Sequence, residues 1–139
     1  MFKETYHIIG VMSGTSLDGI DMAEVTLTVE NNKWSYHFIA VETVKYSVEW
    51  INKLKKAIHF SEEELEALNQ EYTKLLAKEI NLFIEKNSIK NINAVCSHGH
   101  TVLHQPQDGI TLQIGNLPEL SQLLKQNVVC DFRVQDVQL

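Results

Sequence analysis

Three stretches of the chain concentrate residues able to bind or move charge. The first is Ser13-Gly14-Thr15-Ser16-Leu17-Asp18-Gly19-Ile20-Asp21. Its glycines let successive backbone N–H groups turn toward one point and form an anion-binding nest. Thr15 and Ser16 add hydroxyl donors for phosphate oxygens. Asp18 and Asp21 would repel phosphate directly but suit a hydrated Mg2+ held between protein and nucleotide. This is not a P-loop of the Walker type, because no Gly-Lys-Ser/Thr occurs and a strand follows instead of a helix. A plain hairpin whose Gly, Ser and Asp satisfy turn geometry accounts for the same residues.

The second stretch holds His98, His100 and His104. On an extended segment His98 and His100 share a face, so both rings would lie on one side, where with His104 they could ligate zinc or a hydrolytic metal. Barrel hydrolases that begin with such a pair need a far longer chain, and no later histidine completes the set. A hydrogen-bonding or substrate-facing role is the alternative. The third stretch is Asp131, Arg133 and Asp136, just beyond an apolar run. Strand ends are where sheet-based enzymes gather ligands; a structural Asp–Arg pair is the other reading. Glu62, Glu63 and Glu64 read as favourable charge at a helix start. No Gly-x-Ser-x-Gly pattern marks a hydrolase nucleophile.

The elements that must position these groups follow from periodicity. His7 to Met12 is a short β-branched run that stops at Ser13-Gly14 and predicts a buried strand. Residues 21–30 alternate, with Ala23, Val25, Leu27 and Val29 on one face. Asn31-Asn32 predicts a tight turn, because Asn tolerates positive φ. A third strand carries Trp34, Tyr36, Phe38 and Ala40 on one face, the aromatics reading as core. The period then lengthens: Ser47 caps a helix with the stripe Ile51, Leu54 and Ile58. Ser61 and Glu64 have capping-box spacing ahead of a long helix through Leu68, Tyr72, Ile80 and Phe83 that ends near Asn87. Residues 93–97 predict a buried strand. Residues 101–103 and 110–114 flank Gln107-Asp108-Gly109 as a hairpin, Pro118 opens a short helix, and 128–132 form a last strand. One α/β sheet with helices packed on it follows from this order.

The chain has 139 residues, with 12 Lys+Arg against 18 Asp+Glu and a net charge of −6. That length fits one domain, which hides about two-thirds of its unfolded surface. The acidic balance argues against non-specific binding to nucleic acid or anionic membrane. No apolar run approaches the roughly 20 residues that span a bilayer, and the first residues lack the apolar core of a secretory signal. Cys96 and Cys130 form no Cys-x-x-Cys pair and read as reduced, buried thiols.

Gly10-Val11-Met12-Ser13-Gly14-Thr15-Ser16-Leu17-Asp18-Gly19-Ile20-Asp21 closely resembles the opening signature of the anhydro-N-acetylmuramic acid kinases, members of the actin and sugar-kinase superfamily. Cys96-Ser97-His98-Gly99-His100-Thr101-Val102 with His104 and Pro106 resembles a second family segment, in which Gln is usual where His100 stands. Thr111 to Asn116, then Val128 to Arg133 with Asp136 and Val137, resemble a third and a fourth. The resemblance implies a ribonuclease H-like lobe spanning 1–139, with a second lobe and the catalytic aspartate expected after Leu139. It implies ATP and Mg2+ as cofactors, held by Gly14, Thr15, Ser16, Leu17, Asp18, Gly19, Ile20 and Asp21, with Asp18 on the metal. Ser97, His98, Gly99, Thr101, Asp131 and Arg133 would shape the anhydro-sugar site. The implied reaction opens the 1,6-anhydro ring of anhydro-N-acetylmuramic acid with water and phosphorylates the sugar. A cytoplasmic role in cell-wall recycling is expected, as are homodimers, and so is inactivity of this stretch by itself. Rival expectations are a non-catalytic nucleotide- or anion-binding module and a metal hydrolase built on the histidines.

Overall fold

The computed structural model describes residues 3–13, 17–105 and 110–130, with side chains described for 4–13, 17–102 and 112–130. Gly14, Thr15, Ser16, Pro106, the Gln107-Asp108-Gly109 turn, Asp131, Arg133 and Asp136 lie outside them, as does the His104 side chain. Strands β1 (Lys3–Ser13), β2 (Gly19–Glu30) and β3 (Lys33–Lys45) form an antiparallel meander. Asn31 and Asn32 make the β2–β3 turn with φ of 54° and 65°, the pair of positive values a two-residue hairpin needs.

Helices α1 (Val48–Lys56) and α2 (Glu62–Lys86) follow, separated by a 3-10 turn over Ala57–His59. Ser47 Oγ accepts from the Trp50 amide, and Ser61 and Glu64 make the reciprocal capping box. The chain then returns as β4 (Ala94–Gln105), pairs back through β5 (Ile110–Ile114), and crosses α3 (Glu119–Leu124) into β6 (Val128–Val129). Residues 93–97 and 101–103, read above as separate strands, are one strand, because the irregularity at Gly99 bends the run without ending it.

The sheet order is β3-β2-β1-β4-β5, with β6 also on β4; β1, β4 and β6 run parallel. The result is the mixed α/β sheet with helices packed on it that the element order implied. Its core joins Ile9, Val11, Ile20, Met22 and Val95 to Tyr72, Leu76, Ile80 and Phe83 of α2. Among the described residues no helix is long and apolar enough to cross a membrane.

The opposite face departs from expectation. Trp34, Tyr36 and Phe38 are 65%, 69% and 55% exposed, so they are not core. Alternation reports which residues share a face, not which face is covered. Here the helices cover the Ile20, Met22 and Glu24 side of β2, leaving the Ala23 side open, although Val25 on it is itself buried. Ala40 parts company with Phe38 because the β2–β3 register shifts between them, turning Ala40 to the helix side opposite Glu24.

Candidate functional site

The C-terminal end of β1 brings the first two motifs together. Ser13, the last residue of β1, pairs with His100 of the parallel strand β4. The end of β1 and the bend around Gly99 therefore sit side by side at the C-terminal ends of two neighbouring parallel strands. β6 runs parallel next to β4 and ends at Val129, two residues before Asp131. Three motifs distant in sequence thus follow the same end of three parallel strands, the edge where ligands collect in α/β sheets.

Within the turn, Leu17 takes a positive φ of 60° and Asp18 is exposed. Gly19 is buried against β3, and a Cβ there would lie 2.2 Å from the Val44 carbonyl oxygen. Ile20 has its side chain in the core, so only its backbone is available to a ligand. Asp21 points to the open face, where its Oδ1 accepts from Thr43 Oγ1 at 2.5 Å. Asp18 and Asp21 are both exposed, but Asp21 is engaged by Thr43, which leaves Asp18 as the candidate for Mg2+, an ion that keeps most of its waters.

Gly99 breaks the alternation of β4. Its φ is +73°, and a Cβ would meet the Ile114 carbonyl at 2.4 Å and Asn116 Oδ1 at 2.8 Å. The β1–β4 register shifts across it. As a consequence His98 and His100 do not share a side, correcting the reading from uniform alternation. His98 joins Gly10, Met12, Asp21 and Cys96 around an open groove of about 710 Å³ on the uncovered sheet face. His100 turns to the helix side and is 2% exposed. Among the described residues no three His, Cys, Asp or Glu side chains gather to hold a metal.

The expected sugar residues divide in the same way. His98 faces the groove, whereas Ser97 and Thr101 are buried. The Ser97 hydroxyl has no hydrogen-bond partner among the described residues despite complete burial. The His98 carbonyl accepts from Asn116 Nδ2 at 3.5 Å, tying the bend to the end of β5. Cys96 and Cys130 are half-buried rather than buried, and burial pushes the Cys96 thiol pKa up.

Sequence reasoning missed a buried polar chain at the end of β1. Ser13 Oγ bonds to the Tyr46 hydroxyl and lies 3.1 Å from His100 Nδ1. Tyr46 and Tyr72 hydroxyls are 2.5 Å apart. The Tyr72 ring meets the His100 ring edge-on at 5.9 Å between centroids. Burial lowers the His100 pKa to about 4, with nearby His98 adding to the effect. Burial also raises the pKa of Tyr46, and that of Tyr72 further, so both hydroxyls keep their protons. Tyr72 stood on the α2 stripe and read as apolar core; only the polar tip of a tyrosine hinted at more.

The family model described as anhydro-N-acetylmuramic acid kinase matches residues 6–139. A curated protein of that name from Pseudomonas fluorescens is 37% identical over 138 residues, covering 93% of this chain and 36% of the relative. One from Rhizobium etli is 32% identical over 140 residues, covering 93% and 37%. The chain therefore spans a little over a third of the length of these relatives.

Proposed function

This chain belongs to the anhydro-N-acetylmuramic acid kinase family, and from that premise we propose that it supplies the nucleotide-holding lobe of an ATP-dependent sugar kinase. The single observation that carries the proposal is the convergence of the end of β1, which the glycine motif follows in sequence, with the Gly99 bend and the end of β6 at the same end of parallel strands. In this reading Gly14, Thr15, Ser16 and Leu17 hold the nucleotide phosphates through backbone N–H and hydroxyl groups. Asp18 holds Mg2+ through one carboxylate, and the metal supplies neutralisation of charge spreading over the transferred phosphoryl group. Gly19 allows β2 to leave the turn against β3, and Asp21 stays anchored to Thr43.

His98, beside the groove, contacts the anhydro-sugar, and Gly99 sets the angle at which it is offered. Ser97 and Thr101 act from beneath, shaping the bend rather than reaching the sugar from an exposed position. Arg133 receives the muramic acid carboxylate, with Asp131 holding the guanidinium. The reaction is water attack that opens the 1,6-anhydro ring, coupled to phosphorylation of the freed hydroxyl. The aspartate that deprotonates the water belongs to the part of the relatives that this chain does not span. The setting is cytoplasmic recycling of cell-wall fragments by a homodimer, and light scattering checks the dimer.

The test uses the polypeptide at the length of its relatives, given ATP, Mg2+ and anhydro-N-acetylmuramic acid. ADP and a 6-phosphorylated sugar should form in equal amounts. Their absence from protein that is folded by circular dichroism overturns the reaction. For the lobe assignment, Mg2+-ATP is added to the 15N-labelled 139-residue chain. Amide shifts should centre on residues 14–21, and shifts confined to another surface reject the assignment.

A further inference from the structure

The turn that would hold phosphate departs directly from Ser13, and Ser13 is 1% exposed with its hydroxyl inside the molecule. Two partners reach that hydroxyl from far along the chain: Tyr46 just after β3, and His100 on β4 at 3.1 Å. Tyr46 in turn meets Tyr72 of α2 at 2.5 Å. Three elements, β1, α2 and β4, and the segment after β3 are therefore joined in one hydrogen-bonded chain through the last residue before the glycine turn.

One direction of donation uses every hydroxyl proton once. Tyr72 donates to Tyr46, Tyr46 to Ser13, and Ser13 to His100 Nδ1, which accepts when the imidazole is neutral and carries its proton on Nε2. A charged imidazolium would put an N–H at Nδ1 and remove the acceptor for the Ser13 hydroxyl proton. His98 is the titratable neighbour on the same strand, Tyr46 and Tyr72 lie against Ser13 and His100 from the other elements, and the Asp21 charge on β2 acts on Tyr46 through space.

We propose that His100 is a positioning residue, holding Ser13 through Nδ1 so that the end of β1, which the Gly14-Thr15-Ser16 turn follows in sequence, is fixed beside the Gly99 bend, with Tyr46 and Tyr72 completing the tether. The assignment rests on the reading of that turn as the phosphate-holding element. His100 touches neither nucleotide nor sugar; it acts through Ser13. The same residue follows the Gly99 bend directly, so the tether also sets the turn and the His98 position relative to each other.

The experiment uses the 139-residue chain and the variants His100→Gln, His100→Leu and Tyr46→Phe. Long-range 1H–15N spectra of the labelled imidazole should show the neutral Nε2–H form at pH 7. An Nδ1–H form overturns the proposal. Amide shifts and hydrogen exchange of Gly14, Thr15 and Ser16 should move in His100→Leu and Tyr46→Phe and return toward wild type in His100→Gln, whose side chain can still accept from Ser13. Should His100→Leu fail to fold, Tyr46→Phe, which keeps its ring, carries the same reading. Turn amides unchanged in Tyr46→Phe overturn the tether. Mg2+-ATP should bind Tyr46→Phe roughly tenfold more weakly than wild type and His100→Gln within roughly threefold, the scale of one buried hydrogen bond. Equal affinity in all of them overturns the positioning role while leaving the nucleotide reading intact. No binding even to wild type, with tautomer and turn shifts as expected, supports the tether and rejects the nucleotide reading instead.

Discussion

A single buried imidazole sets one pH limit of this fold. His100 has a folded pKa of about 4 against an ordinary 6.5, because burial disfavours its charged form. Above pH 6.5 folded and unfolded chains are both neutral at this residue, and its contribution to stability is constant. As pH falls from 6.5 toward 4, the unfolded chain takes up a proton that the folded chain refuses, so stability declines; below about 4 the decline from this group ends. The full effect is up to about 3 kcal/mol. Urea unfolding of wild type and His100→Gln at pH 7 and pH 4.5 should show the larger acid loss in wild type; parallel losses would exclude the linkage. In the proposed reading Asp18 acts on ligand instead. Asp18→Asn should weaken Mg2+-ATP binding by roughly tenfold, as expected for loss of a charge-assisted contact, while leaving the melting temperature unchanged. Calorimetric titration with and without Mg2+ checks it, and an equal loss of sugar binding would reject the role.

Among the elements, β2 depends on a residue with no side chain at its first position. Gly19 lies so close to β3 that a Cβ would sit 2.2 Å from the Val44 carbonyl. That obstacle is backbone and cannot rotate aside, so Gly19→Ala should cost about 2 kcal/mol, measured by urea denaturation. A cost near zero would mean that β2 and β3 separate easily there. Element types were legible along most of the chain because their signals are local. Ser47 and Ser61 cap where their spacing says they should, and the two asparagines of the meander turn take the positive φ that residue type permits. Gly99 was less legible. A lone glycine in a strand signals a bend, but the side on which the following histidine lands depends on the register with β1.

For the whole molecule, the two faces of the sheet should respond unequally to truncation. Leu76 is wholly buried between helix and sheet, whereas Phe38 is 55% exposed on the open side. Leu76→Ala should cost about 3 kcal/mol through lost burial and a cavity. Phe38→Ala should cost less than about 1 kcal/mol while reducing binding of a hydrophobic dye, since it removes part of an exposed apolar patch. Chemical denaturation of the two variants under one condition makes the comparison. Similar costs would show that the aromatic face is covered in solution.

Strand and helix identity, caps, the meander turn and the family signature were all present in the order of residues, because each arises from neighbours a few positions apart. The covered side of the sheet, the division of His98 from His100, and the meeting of Ser13, Tyr46, Tyr72 and His100 were decided by tertiary packing. Those four residues span 87 positions, and no local period carries the information that their polar atoms will lie within hydrogen-bonding distance. Long-range strand register and the desolvation of one side of the sheet bring them together, and the same desolvation makes their polar contacts obligatory.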